Sequence, residues 1–121
     1  EYALGKVDFI RVPNSKGDTL NGWMLKPQNF DASKKYPVLF CNYGGPGSQQ
    51  VANRFGAASM WHQMLAQKGF IVVSVDNTGT GFRGEAFKKK TYLQLGKLEI
   101  EDQIDAAKWL RSMPFVDGRN I

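Results

Sequence analysis

The chain is poor in the residues from which many sites are built: among its 121 residues it has one cysteine, Cys41, and one histidine, His62. A single cysteine excludes an internal disulfide framework and a zinc site made of clustered cysteines. The sequence also lacks a Gly-x-Ser-x-Gly motif. One histidine with no orienting acid nearby in sequence cannot assemble a serine–histidine–acid triad by itself.

Long apolar runs and clustered basic residues are also missing. No stretch approaches the roughly 18 consecutive apolar residues that span a bilayer, and the N-terminus lacks the layout of a signal peptide. The net charge of +5 and the pI near 9.4 are typical of polyanion binders. Apart from Lys88–Lys90, however, the basic residues are scattered, and the aromatic residues do not alternate with them. We therefore expect neither a membrane segment nor a nucleic-acid partner.

What is present is the composition of one globular domain, with 42% hydrophobic and 12% aromatic residues. Strand character over Val7–Val12 and Thr19–Lys26, with turn-forming residues between them, predicts an antiparallel hairpin. The apolar run Val38–Tyr43 stops at a Gly-Gly-Pro-Gly turn, which predicts a strand buried on both faces. Ligands bind at the carboxyl ends of such strands, so Tyr43 is expected to face a crevice.

The remainder of the chain alternates helices and strands. Apolar spacing and a glycine stop predict a helix over Phe55–Lys68, and a β-branched run predicts a strand over Phe70–Asp76, which completes a parallel crossover unit. The weak pattern over Glu85–Leu95 is followed by a clear helix over Leu98–Met113, which ends at Pro114. Its apolar residues Ile100, Ile104 and Ala107 share one face, with Leu110 beside it.

The loop Gly79–Gly84 matches the dinucleotide fingerprint G-x-G-x-x-G and follows a predicted strand. A true fingerprint has an acidic residue at the end of a second strand about 20 positions on, whereas the acids at that spacing here begin a helix. A structural turn therefore explains the glycines better. A nucleotide-binding, Rossmann-like module that uses this loop is nevertheless the alternative function, and a purely structural interaction domain comes third.

Other reactive side chains have simpler explanations than catalysis. Cys41 is expected to be a buried inert thiol, and neither Cys41 nor Ser48 has a visible activating partner. His62 is expected to be a surface or interface residue of a helix. Glu99 and Asp102, one helical turn apart, are either paired carboxylates or, as we favour, charges that complement the helix dipole.

Tyr43 is the strongest candidate functional residue. A tyrosine hydroxyl at a strand end beside a glycine-rich turn can donate a hydrogen bond to an oxyanion, and such donors stabilise a transition state by about 3–4 kcal/mol. The alternative is a core tyrosine that caps the sheet. Spacing alone slightly favours the core tyrosine.

The ordered set of motifs resembles the prolyl oligopeptidase family of serine peptidases, in its dipeptidyl peptidase branch. The resemblance rests on Tyr36-Pro37-Val38-Leu39, Tyr43-Gly44-Gly45-Pro46, the stretch from Asp76 to Gly84, and Gly96 with Glu99 and Asp102-Gln103. It implies an α/β fold, namely a partial α/β-hydrolase domain over residues 1–121: an N-terminal antiparallel hairpin, then a βαβα portion, truncated before the nucleophile strand.

The same resemblance implies a function for the longer protein. It would release Xaa-Pro or Xaa-Ala dipeptides from the N-termini of peptide substrates through a serine acyl-enzyme, without a cofactor or a metal. Tyr43 would provide half of the oxyanion hole. The nucleophile, the catalytic acid and the catalytic histidine would lie outside this chain, so we expect the chain alone to be inactive. An apolar sheet edge left open would favour self-association.

Overall fold

Four strands and three helices make up residues 3–121, the part of the chain that the computed structural model describes. In chain order they are β1 (Val7–Pro13), β2 (Thr19–Leu25), β3 (Val38–Phe40), α1 (Met60–Gln67), β4 (Ile71–Asp76), α2 (Glu85–Lys89) and α3 (Lys97–Arg111). The strands form one mixed sheet in the order β1-β2-β4-β3. No helix in this part of the chain is both long and apolar enough to cross a membrane.

The N-terminal hairpin confirms the prediction from the turn formers. Strands β1 and β2 pair antiparallel from Val7↔Leu25 to Pro13↔Thr19. Asn14 organises the turn because its Oδ1 accepts the backbone N–H groups of Lys16 (3.1 Å) and Asp18 (2.8 Å). This side-chain acceptor replaces strand pairing where the chain reverses.

Strand β4 is the centre of the sheet, and all six of its residues are buried. It pairs antiparallel with β2 and parallel with β3, as expected for the crossover unit. Val72 packs with Trp23 and Ala66 of α1 on one face, whereas Val73 packs with Leu110 of α3 on the other. Burial on both faces explains the continuous β-branched run.

The prediction for the third strand was wrong in length and in burial. Strand β3 covers only Val38–Phe40, and two of its three residues are half-exposed. Asn42 ends it, because its side-chain Oδ1 accepts the Val75 N–H (2.8 Å) that a backbone carbonyl would accept if the strand continued. Strand β3 is also an edge strand of the sheet in the described residues, and residues 115–120 run beside it, with Val38 N–H bonded to the Asn120 carbonyl at 2.9 Å.

The first helix starts five residues later than predicted. Ser59 caps α1 because its hydroxyl accepts the His62 N–H while the His62 ring accepts the Ser59 N–H, a reciprocal capping box. Phe55, which the apolar spacing assigned to this helix, is 94% exposed. A local polar cap therefore decides the start of the helix.

The third helix lies where it was predicted, but its most buried face is different. Its buried residues are Asp102, Ala106 and Leu110, and Asp102 is fully buried. Ile100 and Ile104, on the predicted apolar face, are 61% and 48% exposed. They line an open groove between α3 and the edge strand β3.

Candidate functional site

Tyr43 lies at the mouth of the groove between β3 and α3. It follows the end of β3, and its side chain is 75% exposed. Phe40, Gln103 and Ile104 line the same groove. The core-tyrosine alternative therefore fails, because a capping tyrosine would be buried.

The turn after Tyr43 needs glycine and a partner amide. Gly44 has φ of +75°, a conformation that side chains with a Cβ rarely adopt. A Cβ at Gly44 would also lie 2.6 Å from Oδ1 of Asn77. The Asn77 Nδ2 group donates to the Gly44 carbonyl at 3.1 Å. This hydrogen bond fixes the backbone on the C-terminal side of Tyr43.

The glycine-rich loop supports this turn. Gly81 N–H donates to the Ser48 carbonyl at 2.9 Å, and Gly47 N–H donates to the Gly79 carbonyl at 3.2 Å. A Cβ at Gly81 would lie 2.9 Å from the Gly47 carbonyl oxygen, so only glycine allows this approach. Thr80 N–H is bonded as well, to the Asn77 carbonyl. Because the Thr80 and Gly81 amides are paired with protein carbonyls, this part of the loop acts as a structural brace for the turn.

Three side-chain amides connect the turn to α3. Gln103 donates from Nε2 to the Val75 carbonyl (3.0 Å) and to Asn77 Oδ1 (3.2 Å). Its Oε1 accepts from Nδ2 of Asn42 at 2.8 Å. Sequence analysis did not single out these residues for a role around Tyr43. A signal was present for two of them, because Asn42 and Asn77 each come just after a strand, and functional polar side chains often lie at that edge of a sheet.

Cys41, which was expected to be buried and without a visible activating partner, is half-buried and lies against His62. His62 Nε2 lies 3.0 Å from Cys41 Sγ, and both side chains are half-buried. Because Nδ1 of His62 accepts the Ser59 N–H at 3.0 Å, the proton of the neutral ring lies on Nε2 and points at the sulfur. Burial lowers the pKa of the His62 imidazole, which favours this neutral form. The pair packs on the α1 face of the sheet, away from the groove of Tyr43.

The remaining candidate residues have structural roles. Glu99 accepts the Gly96 N–H at 2.9 Å at the start of α3. Asp102 accepts the Thr78 N–H (2.7 Å) and Nδ2 of Asn14 (2.8 Å), so the two carboxylates are not paired. Ser48 donates its hydroxyl to the Gly45 carbonyl at 2.6 Å. Within residues 3–121, no three His, Cys, Asp or Glu side chains are grouped so that they could hold a metal ion.

Comparison with known proteins gives a consistent result. The sequence profile of the prolyl oligopeptidase family matches residues 57–121. An Aspergillus flavus protein named "Probable dipeptidyl peptidase 4" is 39% identical over 123 aligned residues that cover 100% of this chain. "Dipeptidyl peptidase 4" of Trichophyton equinum is 38% identical over the same share of the chain. The crystal structure of Porphyromonas gingivalis dipeptidyl peptidase 4 matches 99% of the chain with a TM-score of 0.93 and 43% identity.

These relatives are much longer than the chain. It spans 16% of the length of the two fungal proteins and 17% of the solved bacterial chain. The region matched in these relatives includes the turn after Tyr43 and the glycine-rich loop Gly79–Gly84. The fold described above is therefore shared with one piece of a larger protein.

Proposed function

Since the chain belongs to the prolyl oligopeptidase family, we propose that it is the N-terminal part of the catalytic domain of a serine dipeptidyl peptidase. Residues 1–121 form a single partial α/β-hydrolase domain, which stops before the strand with the nucleophile. The parallel pair β3 and β4 with helices on both faces supports this architecture. The names of the relatives support the activity.

The longer protein releases Xaa-Pro or Xaa-Ala dipeptides from the N-termini of peptides. A serine outside this chain attacks the carbonyl carbon that follows the proline or alanine, and the carbonyl oxygen becomes an anion. Tyr43 donates its phenolic hydrogen to that oxygen. The single observation that carries this role is the exposed Tyr43 ring at a strand end, with Gly44 held in place beside it.

Tyr43 works as a preformed donor. A hydroxyl that is already in position needs no reorganisation when the negative charge develops. Loss of one such donor lowers kcat by roughly 100- to 1,000-fold. The other half of the oxyanion hole is a backbone N–H after the nucleophile. Neither half requires a metal or a cofactor.

The direct test is Tyr43→Phe in the full-length protein, assayed with a Gly-Pro chromogenic substrate. We expect kcat to fall by roughly 100-fold or more with little change in KM, because the anion exists only in the transition state. Tyr92→Phe is the matched control, since Tyr92 is 74% exposed and lies outside the groove. An unchanged kcat for Tyr43→Phe would remove this residue from the mechanism.

The chain alone lacks the nucleophile, the acid and the histidine of the triad. We therefore expect no release of the chromogenic group when the purified chain is assayed without the rest of the protein. Measurable turnover that follows the chain through purification would refute this assignment.

The edge of β3, which residues 115–120 cover in part at Val38, favours self-association of the isolated chain. This edge and the exposed Ile100 and Ile104 offer strand pairing together with apolar contact. Ile104→Lys should reduce the association, whereas Phe9→Lys, on the opposite edge strand β1, should leave it unchanged. Light scattering at roughly 50 μM measures both, and a monodisperse wild-type monomer would count against the proposal.

A further inference from the structure

We propose that Gln103 is a positioning residue for Tyr43, which acts by holding the backbone on both sides of that tyrosine. This inference rests on the role proposed above for the Tyr43 hydroxyl. Gln103 lies on α3 and reaches two amides, Asn42 and Asn77, that belong to two different loops. Both loops meet at Tyr43.

Asn42 fixes the residue before Tyr43. Its Oδ1 accepts the Val75 N–H at 2.8 Å, which ties the end of β3 to β4. Its Nδ2 donates to Oε1 of Gln103 at 2.8 Å. With both ends of the amide bonded, the rotation of the Asn42 side chain is restricted, and the backbone that leads into Tyr43 is restricted with it.

Asn77 fixes the residue after Tyr43. Its Nδ2 donates to the Gly44 carbonyl (3.1 Å) and to the Thr78 carbonyl (2.9 Å), and its Oδ1 accepts from Gln103 at 3.2 Å. Asn77 is only 1% exposed, so water cannot easily replace these partners. A freed Asn77 would release the Gly44 carbonyl from the loop.

The hydrogen-bond pattern determines one orientation for each amide. The Val75 carbonyl and Asn77 Oδ1 both require donors, so Nε2 of Gln103 faces them. Nδ2 of Asn42 then faces the only remaining acceptor, Oε1 of Gln103. Both hydrogens of the Gln103 amide are used. A glutamate or an apolar residue at this position cannot reproduce the pattern.

The helix that carries Gln103 is itself held at a fixed depth. The neighbouring Asp102 is fully buried and bonded to the backbone of Thr78 and to Asn14. Gln103 is therefore presented to the two asparagines by a rigid element, as a supporting group requires. Loss of its amide should let Tyr43 move without displacing the helix.

The test is Gln103→Met in the full-length protein, with the chromogenic dipeptide substrate. A misplacement of about 1 Å can cost roughly 100-fold in rate, so we expect kcat to fall by about 10- to 100-fold while KM changes less than about twofold. Gln63→Met is the matched control. Gln63 also lies on a helix and makes two hydrogen bonds, both to Gly5, and it does not line the groove of Tyr43.

A double-mutant cycle separates positioning from general stability. If Gln103 acts through the Tyr43 hydroxyl, Gln103→Met will have no further effect on kcat when Tyr43→Phe is already present. An equal decrease in both backgrounds, or an unchanged kcat in the wild-type background, would overturn the inference. Tyr43→Phe alone tests the proposed function, so an unchanged kcat in that variant identifies a failure at the earlier step.

Asn42→Asp provides a second variant in case Gln103→Met folds poorly. Asn42 is exposed, and an aspartate there still accepts the Val75 N–H but turns a carboxylate oxygen toward Oε1 of Gln103. We expect Asn42→Asp to lower kcat several-fold in the wild-type background. When Tyr43→Phe is already present, we expect no further decrease. Additivity with Tyr43→Phe would again overturn the inference.

Discussion

An exchange of side chains between positions 14 and 102 tests the hydrogen bonds of the buried Asp102. Its carboxylate accepts from Thr78 N–H at 2.7 Å and from Asn14 Nδ2 at 2.8 Å. A hydrogen bond to a charged group contributes about 1.5–3 kcal/mol, and a buried donor without a partner costs about 1–3 kcal/mol. The two bonds are therefore large compared with the stability of a small domain.

Each single exchange should be destabilising. Asp102→Asn leaves one acceptor oxygen for two donors and turns an NH₂ group toward the other donor. We expect a loss of about 2–3 kcal/mol, which lowers the urea midpoint by about 1–2 M. Asn14→Asp places a second carboxylate against Asp102 and should cost a comparable amount.

The double variant should recover most of this loss. The new amide at position 102 donates to the new carboxylate at position 14, and its oxygen still accepts the Thr78 N–H. The second carboxylate oxygen at position 14 still accepts the N–H groups of Lys16 and Asp18. Urea unfolding followed by tryptophan fluorescence measures all four proteins. Destabilisation of the double variant equal to the sum of the two singles would refute the assigned bonds.

Two further predictions concern the turn and the half-buried histidine. Gly44→Ala should destabilise the chain by more than Gly17→Ala, because both have positive φ but only a Cβ at Gly44 meets Asn77; equal losses of the urea midpoint would contradict this. For His62, burial lowers the pKa in the folded state, so its contribution to stability is present above about pH 6.5 and is lost as the pH falls through the lower folded value. The urea midpoint should therefore drop between pH 7.5 and 5.5 by more in the wild type than in His62→Gln, and an identical drop in both would refute it.

The sequence predicted the elements whose pattern is local. The hairpin, β4 and α3 agree with their predicted positions because turn formers, a β-branched run and a helical stripe with a proline stop act over neighbouring residues. The apolar stripe of α3 was predicted as well. Its position beside the open groove was not, because a stripe does not specify which surface it meets.

The errors arise where distant residues replace local signals. Strand β3 ends at Phe40 because the side chain of Asn42 takes the place of a backbone acceptor for Val75. Cys41 has a partner 21 residues away, and spacing along the chain does not reveal it. At the candidate site, Tyr43 was predicted from its place after a strand. The role of Gln103 was not, because it depends on contacts of α3 with Asn42 and Asn77, which are distant in sequence.

The hydrogen bonds of Asp102 also set the order in which parts of the chain fold during synthesis. Asn14 and Asp102 are 88 residues apart, so the hairpin can form on the ribosome long before its turn finds its partner. Contacts of such long range form late because closing the intervening loop costs entropy. Until residue 102 leaves the exit tunnel, the side-chain amide of Asn14 and the N–H of Thr78 lack their acceptor. A nascent chain that ends before residue 102 should therefore be cut by protease at residues 14–18 more readily than one that extends beyond it.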